Sequence, residues 1–225
     1  IQAEYLIDHA WGYEPCRISD IHAMSAERKS ISSGQVLPCP YDAKKGRVIA
    51  EEMASSLSFE LAEKALDTEL ISLSLSFDGE NIGESYRGEK RINHYGRFVP
   101  RGVHGIRHLK QRGNGEKEII EAILSIYDEI MDSRLSLRKI SLSAEDVHPV
   151  EERKTGQIDL FTYLSEKDEE MKKTEQCSME KRDKARDASL LVMHKYGKNA
   201  MLKAYQYMEG ARGRERTRQM GGHSS

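Results

Sequence analysis

Over residues 70–78, Ile71, Leu73, Leu75 and Phe77 alternate with Ser72, Ser74 and Ser76. A period of two sends successive side chains to opposite sides of an extended chain, so this segment reads as a strand with one apolar face and one face of hydroxyls. Such a strand needs neighbours to pair with and a layer to cover its leucines. Its serine face is small and polar enough to lie close against a partner.

The flanking sequence supplies those neighbours. Residues 29–37 (KSISSGQVL) read as a first strand, ended by Pro38 and Pro40. Asp42 can cap a helix over about 45–66, where Ile49, Met53, Leu57, Leu61 and Ala65 recur every fourth residue. A long loop with five glycines from Gly79 to Gly102 follows the serine strand. Residues 104–111 (HGIRHLKQ) read as a third strand, and a second helix over about 115–132 carries Ile119, Ile123, Ile126, Tyr127 and Ile130 on one stripe. In the last strand, 135–147, Leu135 and Leu137 are in one phase and Ile140 and Leu142 in the other. The slip falls at Arg138–Lys139 and predicts a bulge that re-aims those side chains. The order β-α-β-β-α-β predicts an α+β fold: a four-stranded sheet with two helices on one face, as in ferredoxin-like folds.

Outside this unit, residues 1–11 read as the end of a helix, stopped by Gly12 and Pro15, and residues 16–28 as a connector. Residues 151–156 form a polar linker. From 163 the chain is dense in Lys and Glu, which suits an exposed helix or a partly disordered tail. A helical patch near 188–208 and a basic terminus follow, the latter readable as a mobile tail.

Composition adds a constraint through charge. The net charge of −2 hides segregation: from Arg87 to Lys117 nine Lys and Arg side chains face only Glu89 and Glu116. These nine are Arg87, Lys90, Arg91, Arg97, Arg101, Arg107, Lys110, Arg112 and Lys117, while the predicted helices are acidic. That distribution suits a module with one face on phosphate and another in water. With 32% charged residues and no apolar run near the ~20 residues of a bilayer span, a soluble cytoplasmic chain with no membrane partner is expected. Cys16, Cys39 and Cys177 are too few and too widely spaced for a disulfide framework or a zinc site, and read as reduced thiols. The start at Ile1 hints at sequence removed upstream. His104 and His108 have the spacing of helical zinc ligands, but their Gly- and Arg-rich context opposes a helix.

Seven stretches, in order, resemble the C-terminal half of bacterial UmuC-like Y-family DNA polymerases. They are LIDHAWG (6–12), KSISSGQVLP (29–38), NIGESYRGE (81–89), SLRKISLSA (136–144), QIDLF (157–161), KYGKNA (195–200) and RERTRQMGGH (214–223). The resemblance implies the end of a thumb domain at 1–15, a linker at 16–28 and a DNA-gripping little finger at 29–150. A linker with a clamp-binding motif at 151–162 and a charged helical tail at 163–225 complete the order. It implies translesion synthesis on damaged or primed duplex DNA, in the service of DNA repair. Lys29, Ser30, Ser32, Ser33 and Gln35 match the family segment that donates hydrogen bonds to the duplex, and Arg138 and Lys139 match its basic pair on the last strand. Arg87, Lys90, Arg91, Arg97 and Arg101 in the long loop, with Arg107, Lys110 and Arg112, are further candidate phosphate contacts. The length of that loop departs from the family pattern.

Gln157, Ile158, Asp159, Leu160 and Phe161 resemble the pentapeptide that binds the bacterial sliding clamp, with Ile158 in place of the usual Leu. Gln157 can hydrogen-bond at a cleft rim while Leu160 and Phe161 fill an apolar pocket. Such a tether raises the effective concentration of the polymerase at the primer end. Nucleotidyl transfer in this family uses Mg2+ held by palm carboxylates. Nothing in these residues resembles a palm, so no cofactor is expected in this chain, and Mg2+ only in the intact polymerase. A standalone adaptor binding DNA and clamp is the alternative. An RNA-binding module is disfavoured, because its strands would place aromatics where this sequence has Ser and Leu.

Overall fold

The computed structural model describes residues 2–23, 30–83, 86–150 and 166–217. Within them the chain runs α1 (Gln2–Ala10), α2 (Ile18–Ala23), β1 (Ser30–Tyr41), α3 (Ala43–Glu63) and β2 (Leu66–Phe77). It continues through β3 (Lys90–Ile92), β4 (Phe98–Pro100), β5 (Val103–Gly113), α4 (Glu116–Ile130), β6 (Leu137–Glu145) and β7 (His148–Pro149). The helices α5 (Glu166–Tyr196) and α6 (Gly213–Arg216) close it.

The fold is α+β. Its main sheet has the order β1-β6-β2-β5 with every neighbouring pair antiparallel, and β7 pairs with the start of β2. Two βαβ units are interlocked here. The pair joined by α3, β1 and β2, is split by β6, and the pair joined by α4, β5 and β6, is split by β2. Both helices lie on one face because each carries a single apolar stripe. Ile49, Met53, Leu57 and Leu61 of α3 and Ile119, Ile123, Ile126 and Tyr127 of α4 pack with Ile71, Leu73, Leu75, Ile140 and Leu142 of the sheet. The Asp42 carboxylate caps α3 by accepting from the Lys45 amide at 2.8 Å. Two glycines let the layers approach. A β-carbon at Gly105 would overlap Ile126, and one at Gly46 would overlap Leu137 and meet the Tyr127 hydroxyl.

Four features differ from the sequence reading. β1 continues through Pro38 and Pro40 to Tyr41, because it is an edge strand and a missing N–H can face outward there. Ala65 is not on the helical stripe; it is exposed, with φ +50°, and turns the chain from α3 into β2. The glycine-rich loop folds in part as the hairpin β3–β4. The described part of the basic terminus, up to residue 217, docks on the fold instead of trailing as a mobile tail. Buried Glu52 of α3 accepts from the Arg212 amide at 2.8 Å and the Gly213 amide at 3.1 Å. Lys203 pairs with Glu116 and Lys45 with Glu209, while Arg216 donates to Gln35 Oε1 at 3.1 Å. The terminal segment therefore packs on the outer side of α3 and leaves the opposite face of the sheet open.

At the other end, α1 finishes as the sequence predicts. Gly12, with φ +77°, donates to the His9 carbonyl, and the Tyr13 amide donates to that of Asp8. Leu6, Ile7 and Trp11 are exposed. Among the described residues, no helix is long and apolar enough to cross a membrane.

Candidate nucleic-acid interface

The open face follows from register. Residues paired across antiparallel strands share a face, so the pairings build rows across the sheet. Ser30, Glu145, Leu70 and His108 form one row, and Ser32, Ser143, Ser72 and Ile106 the next. Gly34, Ser141, Ser74 and His104 form a third, and Val36, Lys139 and Ser76 a fourth. The result is a lattice of hydroxyls with a histidine edge, basic at the Lys139 end and acidic at Glu145. Some hydroxyls are already engaged: Ser74 Oγ lies 2.8 Å from His104 Nδ1, and Ser72, buried among its row neighbours, donates to Glu145 at 3.3 Å. Gly34 keeps the platform flat, since a β-carbon there would stand 3.2 Å from Ser141 Oγ.

The predicted bulge is present. β6 pairs Lys139 with Ser76 but Leu137 with Phe77, so Arg138 is the extra residue. Lys139 then points from the open face and is exposed, whereas Arg138 turns aside, donating to the Pro38 carbonyl at 3.3 Å and lying 3.6 Å from Asp78.

The predicted contact residues divide by the same parity. Ser30, Ser32, Lys110 and Lys139 are exposed, with Ser30, Ser32 and Lys139 in the rows of the open face. Ser33 and Gln35 pair with Leu142 and Ile140 and so face the helices; Gln35 is 8% exposed and holds Arg216. Arg107 pairs with Ile71, also on the helix side, and reaches Glu129 of α4 at 2.7 Å. Arg112 is half-buried, and its Nε and Nη2 have no hydrogen-bond partner among the described residues. The structure therefore separates Ser33, Gln35, Arg107 and Arg112 from the exposed cations of the face. Lys29 and the pentapeptide Gln157–Phe161 lie outside the described residues.

The remaining basic candidates stand on the hairpin insertion. Arg87, Lys90, Arg91, Arg97 and Arg101 are all exposed. Arg101 is paired with Glu89 at 2.6 Å, and the Lys90 ammonium sits 5.9 Å from the centre of the Tyr86 ring. Asn81 pins the insertion to the start of β6. Its amide donates to the Asp78 and Ser136 carbonyls at 2.8 and 2.9 Å, and its Oδ1 accepts from the Ser136 amide and hydroxyl at 2.8 and 3.0 Å. Sequence reasoning gave Asn81 no role; an asparagine two residues before a glycine signals a turn but not its distant partner. It also passed over Ser141 and Ser143, whose alternation with Ile140 and Leu142 was legible, and the hairpin's Ile92, Tyr95 and Phe98.

Perturbed groups mark packing rather than chemistry. Burial pushes the Tyr205 hydroxyl up to about 12, against a hydrogen bond from Ser55 that lowers it. Burial also raises Glu52, partly offset by the Arg212 and Gly213 amides. Hydrogen bonds from Arg134 hold half-buried Asp132 at about 2. Among the described residues no three His, Cys, Asp or Glu side chains gather as a metal site.

The described residues thus form an antiparallel sheet with helices on one face and an open, small-residue, basic-edged platform on the other. No family model matches the chain, and no curated protein matches it. Among solved structures it is similar to a Y-family DNA polymerase chimera, with a TM-score of 0.38 and 14% sequence identity over 66% of this chain. The match covers 36% of that polymerase chain, so this chain spans about a third of its length.

Proposed function

We propose that this chain is the duplex-holding portion of a Y-family translesion DNA polymerase, acting in repair of damaged templates. Residues 29–150 hold the DNA, residues 157–161 tether the protein to the sliding clamp, and the Mg2+-dependent chemistry belongs to a palm elsewhere in the polymerase. The ordered sequence resemblance motivates the reading, and the open serine platform carries it. Small hydroxyls let a sugar–phosphate backbone approach closely and offer it hydrogen bonds, while Lys139 and Lys110 supply charge. Three strand spacings make the platform about 14 Å across. That exceeds the roughly 12 Å width of the major groove. Such a surface lies over the groove and touches phosphates at its edges instead of reading bases. Phosphate contacts fix position without sequence preference, as a polymerase copying damaged templates requires.

The test is fluorescence anisotropy of the full chain with labelled duplexes of unrelated sequence. Binding at low salt, similar for each duplex and falling steeply with salt, is expected. An absence of binding at low salt removes the duplex reading. For the tether, substitution of both Leu160 and Phe161 by Ala abolishes binding to a purified bacterial sliding clamp; clamp binding retained by that variant removes it.

A further inference from the structure

The hairpin β3–β4 exposes apolar surface that the fold does not use. Ile92 is 63% exposed, Phe98 60% and Tyr95 81%. Ile92 and Phe98 are directly opposed in the register, so they share a face, with Tyr95 at the tip between them. Surface of this kind costs solubility and calls for an occupant. Its surroundings define one. Lys90, opposite Pro100 in the register, shares the face of Ile92 and Phe98, while Arg91, opposite Val99, and Arg97 project from the other face of the same hairpin. All three cations are exposed and none has an ion pair among the described residues, whereas Glu89 is engaged by Arg101.

The hairpin is also built to hold its shape. The Asn93 amide donates to the Arg97 carbonyl at 2.9 Å, and the Gly96 amide to the Asn93 carbonyl at 3.0 Å. Asn93 Oδ1 accepts from the Tyr95 and Arg97 amides at 2.9 and 3.0 Å. Gly96, at φ +73°, supplies the left-handed residue that such a three-residue turn needs. His94 packs edge-on to Tyr95, with ring centroids 5.4 Å apart. At its base, Asn81 locks the insertion to Ser136. The aromatic tip is thus preorganised, and ordering it on binding costs little.

Rigid exposed rings among unpaired cations are the chemistry that recognises unpaired nucleic-acid bases: each base stacks on a ring while its phosphate meets a cation. We propose that the hairpin 90–100 is a single-strand DNA contact, with Tyr95 and Phe98 as stacking platforms, Lys90 on the phosphates from the same face, and Arg91 and Arg97 adding positive charge from the opposite one. The hairpin leaves the sheet at the ends of β2 and β5, the end where Lys139 sits opposite Ser76. Taken with the duplex reading, it stands at a single-strand–duplex junction, but the inference rests on the hairpin alone.

The test compares the full chain with Tyr95→Ala/Phe98→Ala and Tyr95→Phe, using labelled oligo(dT) and a labelled duplex. The double variant is expected to weaken oligo(dT) binding by about tenfold or more and duplex binding by less than about twofold, and Tyr95→Phe to stay near wild type. Unchanged oligo(dT) affinity, an equal loss on both probes, or a Phe variant as weak as the Ala variant overturns the proposal. So does loss of binding to phosphatidylserine vesicles with oligo(dT) affinity intact, which would make the hairpin a membrane contact. A wild-type chain that binds oligo(dT) through these residues but no duplex leaves this proposal standing and removes the duplex reading. Both substitutions are at exposed positions, and matched thermal unfolding identifies any variant that has lost its fold.

Discussion

Replacing both Lys110 and Lys139 with Ala tests the platform where its charge is simplest to count. Both ammonium groups are exposed, and neither is among the ion pairs of the described residues. Each should therefore neutralise one phosphate and release its condensed counterions. In B-DNA each neutralised phosphate contributes about −0.9 to the slope of log affinity against log salt, so the double variant should have a slope shallower by about 1.8. Between about 50 and about 200 mM salt, a difference of 1.8 in slope corresponds to roughly tenfold in the ratio of wild-type to variant affinity. The measurement is anisotropy of a labelled duplex of roughly 20 base pairs, titrated at several KCl concentrations. Lys117→Ala is the control, because Lys117 lies 3.6 Å from Glu121 on α4 rather than on the open face. A double variant that binds more weakly with an unchanged slope would refute the reasoning, since its lysines would then shape the fold and not meet phosphate.

Other outcomes follow from the packing. Asn81→Ala strips the Ser136 amide of its partner, while the Ser136 carbonyl keeps the Asp78 amide; a cost of about 1–3 kcal/mol is expected in urea unfolding, with faster amide exchange across residues 90–100. Ala65→Gly should instead stabilise by about 0.5–1 kcal/mol, because only the β-carbon opposes the φ of +50°. Tyr205 is held near 12 in the folded chain, against about 10 when unfolded. Its folded form binds the extra proton between those values, so its contribution to stability is complete below about pH 10 and lost as pH rises through about 12. Docking of residues 203–217 on α3 should weaken over that window, and Tyr205→Phe should remove this part of the pH dependence. Tyr127→Phe leaves the Ala43 carbonyl without its 2.8 Å hydrogen bond and should cost about 1 kcal/mol.

Much of the fold was legible because its signals are local. The serine–leucine alternation of β2, the fourfold stripes of α3 and α4, and the phase slip at Arg138 all express backbone periodicity, which neighbouring residues determine. The sequence pattern and the observed placement diverge where a distant element decides. Arg107 was grouped with the basic face because Gly105 breaks the apolar phase of β5; that glycine exists so that Ile126 of α4 can pack against the strand. Gln35 looked like part of a polar strand, yet its register with Ile140 turns it inward to Arg216, some 181 residues away. The hairpin was read as loop because strands of three residues carry too little pattern to recognise.

The sequence by itself determined the four main strands, the two helices that cover them, the α+β class and the two-faced character of β2, since a period of two or 3.6 is a property of the chain alone. Only the tertiary structure decided that β6 lies between β1 and β2. That placement turns isolated serines at 30, 32, 74, 141 and 143 into one hydroxyl platform, with Lys139 at its end. Strand order and register depend on how two helices cover one face of a shared core, and residues more than sixty positions apart set them together.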